Sequence, residues 1–199
     1  MIVAVVAHHS RGGAGALLAE RLGGRLFLDE GHHGARWNHE RVWEWAVEHE
    51  GEHLLVVEDD ARPVAGFTDL ARCWIDRYPD DLLSFFLGTG EPGSTLERKI
   101  ARLMSAPGDH IAVNDLMHAV CYAIPTDRLD GMKLDSGAPD TELGRAWWRL
   151  THRPILYPKA SLVEHLDWQT VGSGSRYSYR RIARNLHDEN RLTLPGVGG

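Results

Sequence analysis

The sequence has two cysteines, three lysines and no apolar run of membrane-spanning length, and each scarcity excludes something. Cys73 and Cys121 stand far apart and build neither a disulfide framework nor a zinc-ligand pattern, so a reducing cytosol suits the chain. No stretch approaches the roughly 20 apolar residues of a membrane-spanning helix. The apolar N-terminus has no basic leader, so neither signal peptide nor anchor is expected. The net charge is −6, which argues against a general electrostatic grip on nucleic acid but leaves room for a local basic patch. Arginine outnumbers lysine 19 to 3, a bias that base composition explains as well as function does. Nucleotide fingerprints are missing too. Gly12-Gly13-Ala14-Gly15 is not GxGxxG, and no Gly-Lys-Ser/Thr follows it. His32 and His33 lack partners at zinc spacing and are expected on a surface loop.

What is present reads as an ordinary globular protein. With 199 residues, 43% hydrophobic and 25% charged, the chain fits one domain, with or without a tail. Strands are expected at residues 2–7, 25–29, 54–57, 82–87, 118–124 and 155–157. Helices are expected at 14–22, closed by Gly23-Gly24; at 38–48, capped by Asn38; at 68–77, capped by Thr68; and at 94–104, 125–132 and 139–150. Alternating strands and helices imply an α/β domain with a largely parallel sheet over residues 1–171. A tail rich in Gly, Ser, Arg and Tyr follows over 172–199. Seven tryptophans suit a core, an interface or a cleft that stacks sugars or bases.

Glu58-Asp59-Asp60 directly follows the apolar run Leu54-Leu55-Val56-Val57. Ligands of open α/β sheets bind outside the carboxyl ends of strands. Adjacent carboxylates repel, so three acids there suit a hard cation with its phosphate partners; the alternative is an acidic solvated turn. The turn after the first strand carries His8, Ser10 and Arg11. In a parallel sheet it shares that edge, so it is either a nucleotide contact or merely a tight turn. Asp140 and Glu142 open a helix, where Asp is a good cap. Asp140 also suits a general base. A lone His165 after the last strand is either structural or completes the coordination of a cation at Asp60. Arg176, Arg180, Arg181, Arg184 and Arg191, with Tyr177 and Tyr179 among them, suit phosphate-rich partners and stacked bases, or else a solvated helix face.

The string from His53 through Leu-Leu-Val-Val-Glu-Asp-Asp-Ala-Arg-Pro-Val-Ala-Gly to Phe67 resembles small GT-A-fold glycosyltransferases. It is especially similar to the lipooligosaccharide glycosyltransferase family and to phage glycosyltransferases. Trp37-Asn38-His39-Glu40-Arg41-Val42-Trp43 resembles that family's Asn-His helix, and Tyr157 to His165 its late Pro-Ser-Leu-Val-x-His segment. The resemblance covers about residues 1 to 170. It implies a GT-A-like (Rossmann-like) mixed, mostly parallel sheet flanked by helices, a nucleoside diphosphate sugar donor, and Mn²⁺ or Mg²⁺. Carried over residue by residue, it makes Asp60 the main metal ligand and Glu58 or Asp59 a donor contact. His165 becomes a metal or diphosphate contact, and Asp140 the base of an inverting enzyme. The acceptor it implies is a saccharide or, as in some phage relatives, a hydroxymethylated DNA base; the setting is the cytoplasm, a host's if phage-encoded. The chain departs from the pattern in having Glu-Asp-Asp for Asp-x-Asp, and Lys159-Ala160 where a proline is usual. Two rival readings are a response-regulator-like receiver domain, with Asp115 as the phosphoacceptor, and a nucleotide-sugar binding module without turnover.

Overall fold

The computed structural model describes residues 1–90, 92–134, 139–166 and 181–187. In chain order the elements are β1 (Ile2–His8), a 3₁₀ turn, α1 (Gly12–Leu22), β2 (Arg25–Asp29), α2 (Ala35–Val47), β3 (His53–Glu58), β4 (Ala61–Pro63), α3 (Phe67–Arg77), β5 (Leu83–Ser84), α4 (Thr95–Ser105), β6 (His110–Val113), β7 (Cys121–Pro125), a second 3₁₀ turn over Thr126–Gly131, α5 (Pro139–Thr151), β8 (Ile155–Pro158) and β9 (Val163–His165). Seven strands form the main sheet in the order β2-β1-β3-β7-β5-β8-β6. β1, β2, β3, β5 and β8 share one direction; β6 and β7 run the other way. The mixed, mostly parallel α/β architecture expected from the sequence is the one found.

Alternate residues of a strand face opposite sides of a sheet, and β1 and β3 show this cleanly. Ala4, Val6, Leu54 and Val56 pack on one face with Val42, Trp43 and Ala46 of α2, Ile100 of α4, and Leu143 and Trp147 of α5. Val3, Val5, Leu55 and Val57 pack on the other with Leu18 and Ala19 of α1 and Phe67, Ala71 and Ile75 of α3. Helices therefore cover both faces, and the strand ends are left for ligands. α1 lies very close to the sheet: a Cβ on Gly15 would stand 2.7 Å from that of Ala7 and 3.0 Å from Leu26 Cδ1.

Several boundaries differ from expectation, each for a local reason. Asn38 does not cap α2. The helix begins three residues earlier, after Gly34 at φ 95°. The Asn38 side chain is instead buried, its amide donating to the Phe27 carbonyl at 2.7 Å and the Ala7 carbonyl at 3.4 Å, so it ties the ends of β1 and β2. Thr68 does not cap α3 either, because left-handed Gly66 takes that place and lets Phe67 bury as the first helical residue. Of the expected strand 82–87 only Leu83–Ser84 joins a ladder, and the strand expected at 118–124 becomes Cys121–Pro125. The Gly23 cap of α1 is as expected, at φ 62° with its N–H on the Ala19 and Glu20 carbonyls. Among the described residues no helix is long and apolar enough to cross a membrane, and Cys73 and Cys121 are free thiols.

Candidate functional site

Parallel pairing of β1 with β2 and β3 sets His8, Asp29 and Glu58 at one edge of the sheet. The ladder extends past Glu58, since Asp59 N–H donates to the Val6 carbonyl at 3.0 Å. The chain then reverses into β4, which pairs antiparallel with β9 so that Ala61 lies opposite His165. This two-stranded ladder, with Leu166 N–H donating to the Asp60 carbonyl at 2.7 Å, holds His165 against the acids. His165 Nε2 lies 3.5 Å from Asp60 Oδ2.

Arg11, at the N-cap of α1, meets both aspartates. A single guanidinium nitrogen donates to Asp59 Oδ1 and Asp60 Oδ2, each at 2.8 Å. The second Asp59 oxygen accepts the His8 backbone N–H at 2.8 Å. Asp60 Oδ1, by contrast, is buried without a hydrogen-bond partner. Burial pushes both aspartates up, Asp59 from 3.8 to about 6 against the pull of the His8 N–H and Arg11. For Asp60 repulsion from Glu58 adds to burial and outweighs His165 and Arg11. Glu58 shifts the other way: burial opposes its charge, but His39, and behind it His165 and Arg181, hold its carboxyl below the usual value.

Ser10 is exposed, and its hydroxyl lies 2.8 Å from His8 Nδ1. Burial, with His9 and Arg11 nearby, keeps His8 below the ordinary imidazole value, so it is neutral at pH 7. The rings of His8 and His9 stand 3.9 Å apart and those of His9 and His32 3.8 Å, forming an imidazole wall beside the acids. Asp29 supports that wall by accepting the His33 and Gly34 N–H groups at 2.9 and 2.7 Å.

Asp140 is the second residue of α5, and its Oδ1 accepts the Thr141 N–H at 2.8 Å. It thus lies inside the first turn of α5 rather than at its cap position. It serves the helix end, and burial together with Glu58 raises its pKa, with Arg181 opposing. His118 joins the same group of charges. Burial, Arg181 and His165 push it down to about 3, so it is a neutral imidazole. Its ring and that of His165 flank Phe86 at 5.5 and 5.9 Å.

Sequence reasoning missed why Arg181 matters. Residues 181–187 lie on the body rather than apart from it. Thr89 N–H donates to the Ile182 carbonyl at 2.9 Å, Arg184 N–H to the Leu87 carbonyl at 3.0 Å, and Ala183 N–H to Glu164 Oε1 at 2.8 Å. Arg184 forms an ion pair with Glu97, whose backbone N–H donates to the Ser94 hydroxyl that caps α4. This strap carries Arg181 into the electrostatic neighbourhood of Glu58, His118 and Asp140. The rest of the basic and aromatic tail, namely Arg176, Tyr177, Tyr179, Arg180 and Arg191, lies outside the described residues. His118 carried no sequence signal beyond its place as the first residue of the expected strand 118–124.

Two solved structures resemble the overall fold. One is A197 from STIV, at 10% identity and a TM-score of 0.51, over 83% of this chain and 86% of that one. The other is S. aureus TarS 1–349 in complex with UDP-GlcNAc, at 13% identity and a TM-score of 0.53, over 89% of this chain and 62% of that one. The likeness is one of fold. No family model matches the sequence, and no curated protein matches it. Within this GT-A-like fold the structure brings His8, Arg11, Glu58, Asp59, Asp60 and His165 to one strand-end cluster, with Asp140 within electrostatic reach of Glu58. Among the described residues no group of three or more His, Cys, Asp or Glu side chains is arranged to hold a metal by itself. The Asp60 carboxylate, with Oδ1 buried and unpartnered and Oδ2 3.5 Å from His165 Nε2, suits a cation that takes its remaining ligands from a diphosphate and water.

Proposed function

We propose that the protein is a glycosyltransferase that moves a sugar from a nucleoside diphosphate sugar to an acceptor hydroxyl. One observation carries this reading above the others. At the carboxyl edge of the sheet, Asp60 keeps its Oδ1 buried and unpartnered, while its Oδ2 lies 3.5 Å from His165 Nε2. A protein does not leave such an oxygen unsatisfied without cost. The fold likeness to TarS in complex with UDP-GlcNAc supports the donor class.

On this reading His8, Ser10 and the imidazole wall border the nucleotide, and Arg11 and Arg181 face its diphosphate. Asp60 and His165 hold Mn²⁺ or Mg²⁺, with Glu58 and Asp59 sharing donor contacts. When bound, the cation supplies positive charge to the departing diphosphate. The acceptor oxygen forms a bond to the anomeric carbon as the bond to the diphosphate oxygen breaks and its electron pair leaves with the diphosphate. Asp140 takes the hydroxyl proton, a role its raised pKa suits. Attack opposite the leaving group inverts the anomeric centre.

The acceptor proposed is a saccharide. Arg184 is engaged by Glu97, and Arg181 faces Glu58 and Asp140, so neither is presented to a nucleic-acid backbone. A hydroxymethylated DNA base would have to rely on the other tail arginines. The receiver-domain alternative is not supported. β7 runs antiparallel beside β3, the acids meet Arg11 rather than a lysine, and Asp115 is exposed, its carbonyl bound by Tyr157.

The test is to follow nucleoside diphosphate release from UDP- and GDP-sugars in the presence of Mn²⁺. Release by the wild type and its loss in Asp60→Ala are expected. Binding without release would instead indicate a non-catalytic module, and unchanged release in the variant would remove Asp60 from its role. Proton NMR of the first product reports the anomeric outcome; retained configuration would take Asp140 out of the base role.

A further inference from the structure

Behind the acids, three buried polar side chains of α2 and β7 touch in sequence. Trp43 Nε1 lies 3.0 Å from Tyr122 Oη, Tyr122 Oη lies 2.9 Å from His39 Nδ1, and His39 Nε2 lies 3.5 Å from Glu58 Oε1. The His39 side chain is 2% exposed, and Tyr122 is fully buried. Elementary donor bookkeeping gives the chain a direction. An indole N–H only donates, so the Tyr122 oxygen accepts from Trp43. Tyr122 has one proton to give, and His39 Nδ1 is the acceptor beside it. Were Nδ1 protonated, the Tyr122 oxygen would accept twice and its own proton would be buried without an acceptor. His39 is therefore the tautomer with its proton on Nε2, and that N–H faces Glu58.

We propose that His39 is a positioning residue for the candidate site: Tyr122 and Trp43 lock its tautomer, and its Nε2–H fixes the Glu58 carboxylate at the end of β3. The 3.5 Å separation is longer than a settled hydrogen bond, and the buried Nε2 has no hydrogen-bond partner, so Glu58 is the acceptor nearest to hand. The packing supports the assignment. The His39 and Tyr122 rings are stacked 5.8 Å apart at 21°, which leaves the imidazole little freedom to turn. Asn38, one residue earlier, anchors the same turn of α2 to the ends of β1 and β2. A purely structural trio would weld α2 to the sheet and fix the same tautomer, but its Nε2–H would not respond to the charge of Glu58.

Two measurements test this, and only the second rests on the proposed function. In ¹⁵N-labelled protein, long-range imidazole spectra should show His39 as the Nε2–H tautomer. Tyr122→Phe should convert it to a mixture, and Glu58→Gln should move the Nε2 proton signal upfield. An Nδ1–H tautomer in the wild type, or a signal indifferent to Glu58→Gln, overturns the proposal. The second measurement is calorimetric binding of UDP with Mn²⁺ to two amide variants. The Gln side chain of His39→Gln can place an N–H near the position of Nε2, whereas that of His39→Asn reaches only the position of Nδ1. A hydrogen bond to a charged group corresponds to about a ten-fold affinity change, so His39→Asn should bind about ten-fold more weakly than His39→Gln. Equal losses overturn the positioning role. If UDP fails to bind the wild type, the donor reading falls, while the spectra still decide the relay.

Discussion

Asp60 and Asp81 are both buried acids facing an arginine, yet they stand at opposite edges of the same sheet and are treated differently. Asp81 precedes β5 at the amino edge. Arg153 grips it with two nitrogens, at 2.8 and 3.0 Å, so each carboxylate oxygen has a partner. Asp60 follows β3 at the carboxyl edge. It shares one nitrogen of Arg11 with Asp59, and its other oxygen has nothing. The first arrangement is what a fold needs to hold two charges together. The second leaves charge under-compensated where β1, β2 and β3 end side by side, the place where α/β sheets bind ligands.

Substitutions at the two edges should therefore separate function from stability. The largest effect belongs to Asp60→Asn, with donor turnover falling about 1,000-fold as transition-state charge stabilisation is lost. Its stability at pH 7 should match or exceed the wild type, because burial and Glu58 already disfavour the charged form. A variant that unfolds instead would make Asp60 another Asp81. Next comes Asp140→Asn, for which kcat should drop about 100-fold with the donor KM little changed, as for loss of a general base. A KM effect without a kcat effect would assign Asp140 to binding or to the helix end.

The third effect concerns pH. Asp59 titrates near 3.8 ordinarily and about 6 in the fold. Between those values the native state holds a proton that the unfolded chain has released, so this contribution to stability is full below pH 3.8 and lost as pH rises through 6. Relative to Asp59→Asn, the wild type should lose about 2 kcal/mol across that window. Denaturant titrations at pH 4 and pH 7 measure the difference, and a constant gap between the two proteins would show Asp59 to be unperturbed. The smallest effect is Asp81→Asn, which should cost about 1–2 kcal/mol, since Arg153 is half exposed. Thermal melts report that cost, and donor turnover should not change; a loss of turnover would end the distinction between the edges.

Much of the carboxyl edge was legible in the sequence because its signals are local. An apolar run followed by three acids gives a buried strand and its end. The amino edge and the outer strands were less legible. β4 and β9 have three residues each, and β6 is a four-residue edge strand, too short for a period to stand out. Asn38 has the residue type of a cap, but two strand-end carbonyls required its amide, which no local pattern announces. Arg181 reads as one cation of a basic tail until the hydrogen bonds of residues 181–187 seat it near the acids. His39 was part of the family-like Asn-His string, but its direction toward Glu58 depends on Tyr122, 83 residues away.

The missing side chain at Gly15 has a practical consequence. Because helix α1 rests directly on Ala7, its distance from the sheet is set by one absent methyl group, and Asp59 Cβ lies only 3.8 Å from where that methyl would be. Arg11 rides on the end of this helix. A Gly15→Ala substitution is thus a steric dial: it should lift the helix, draw the guanidinium away from the two carboxylates, and retune the charge of the strand-end cluster without altering a single ionisable residue.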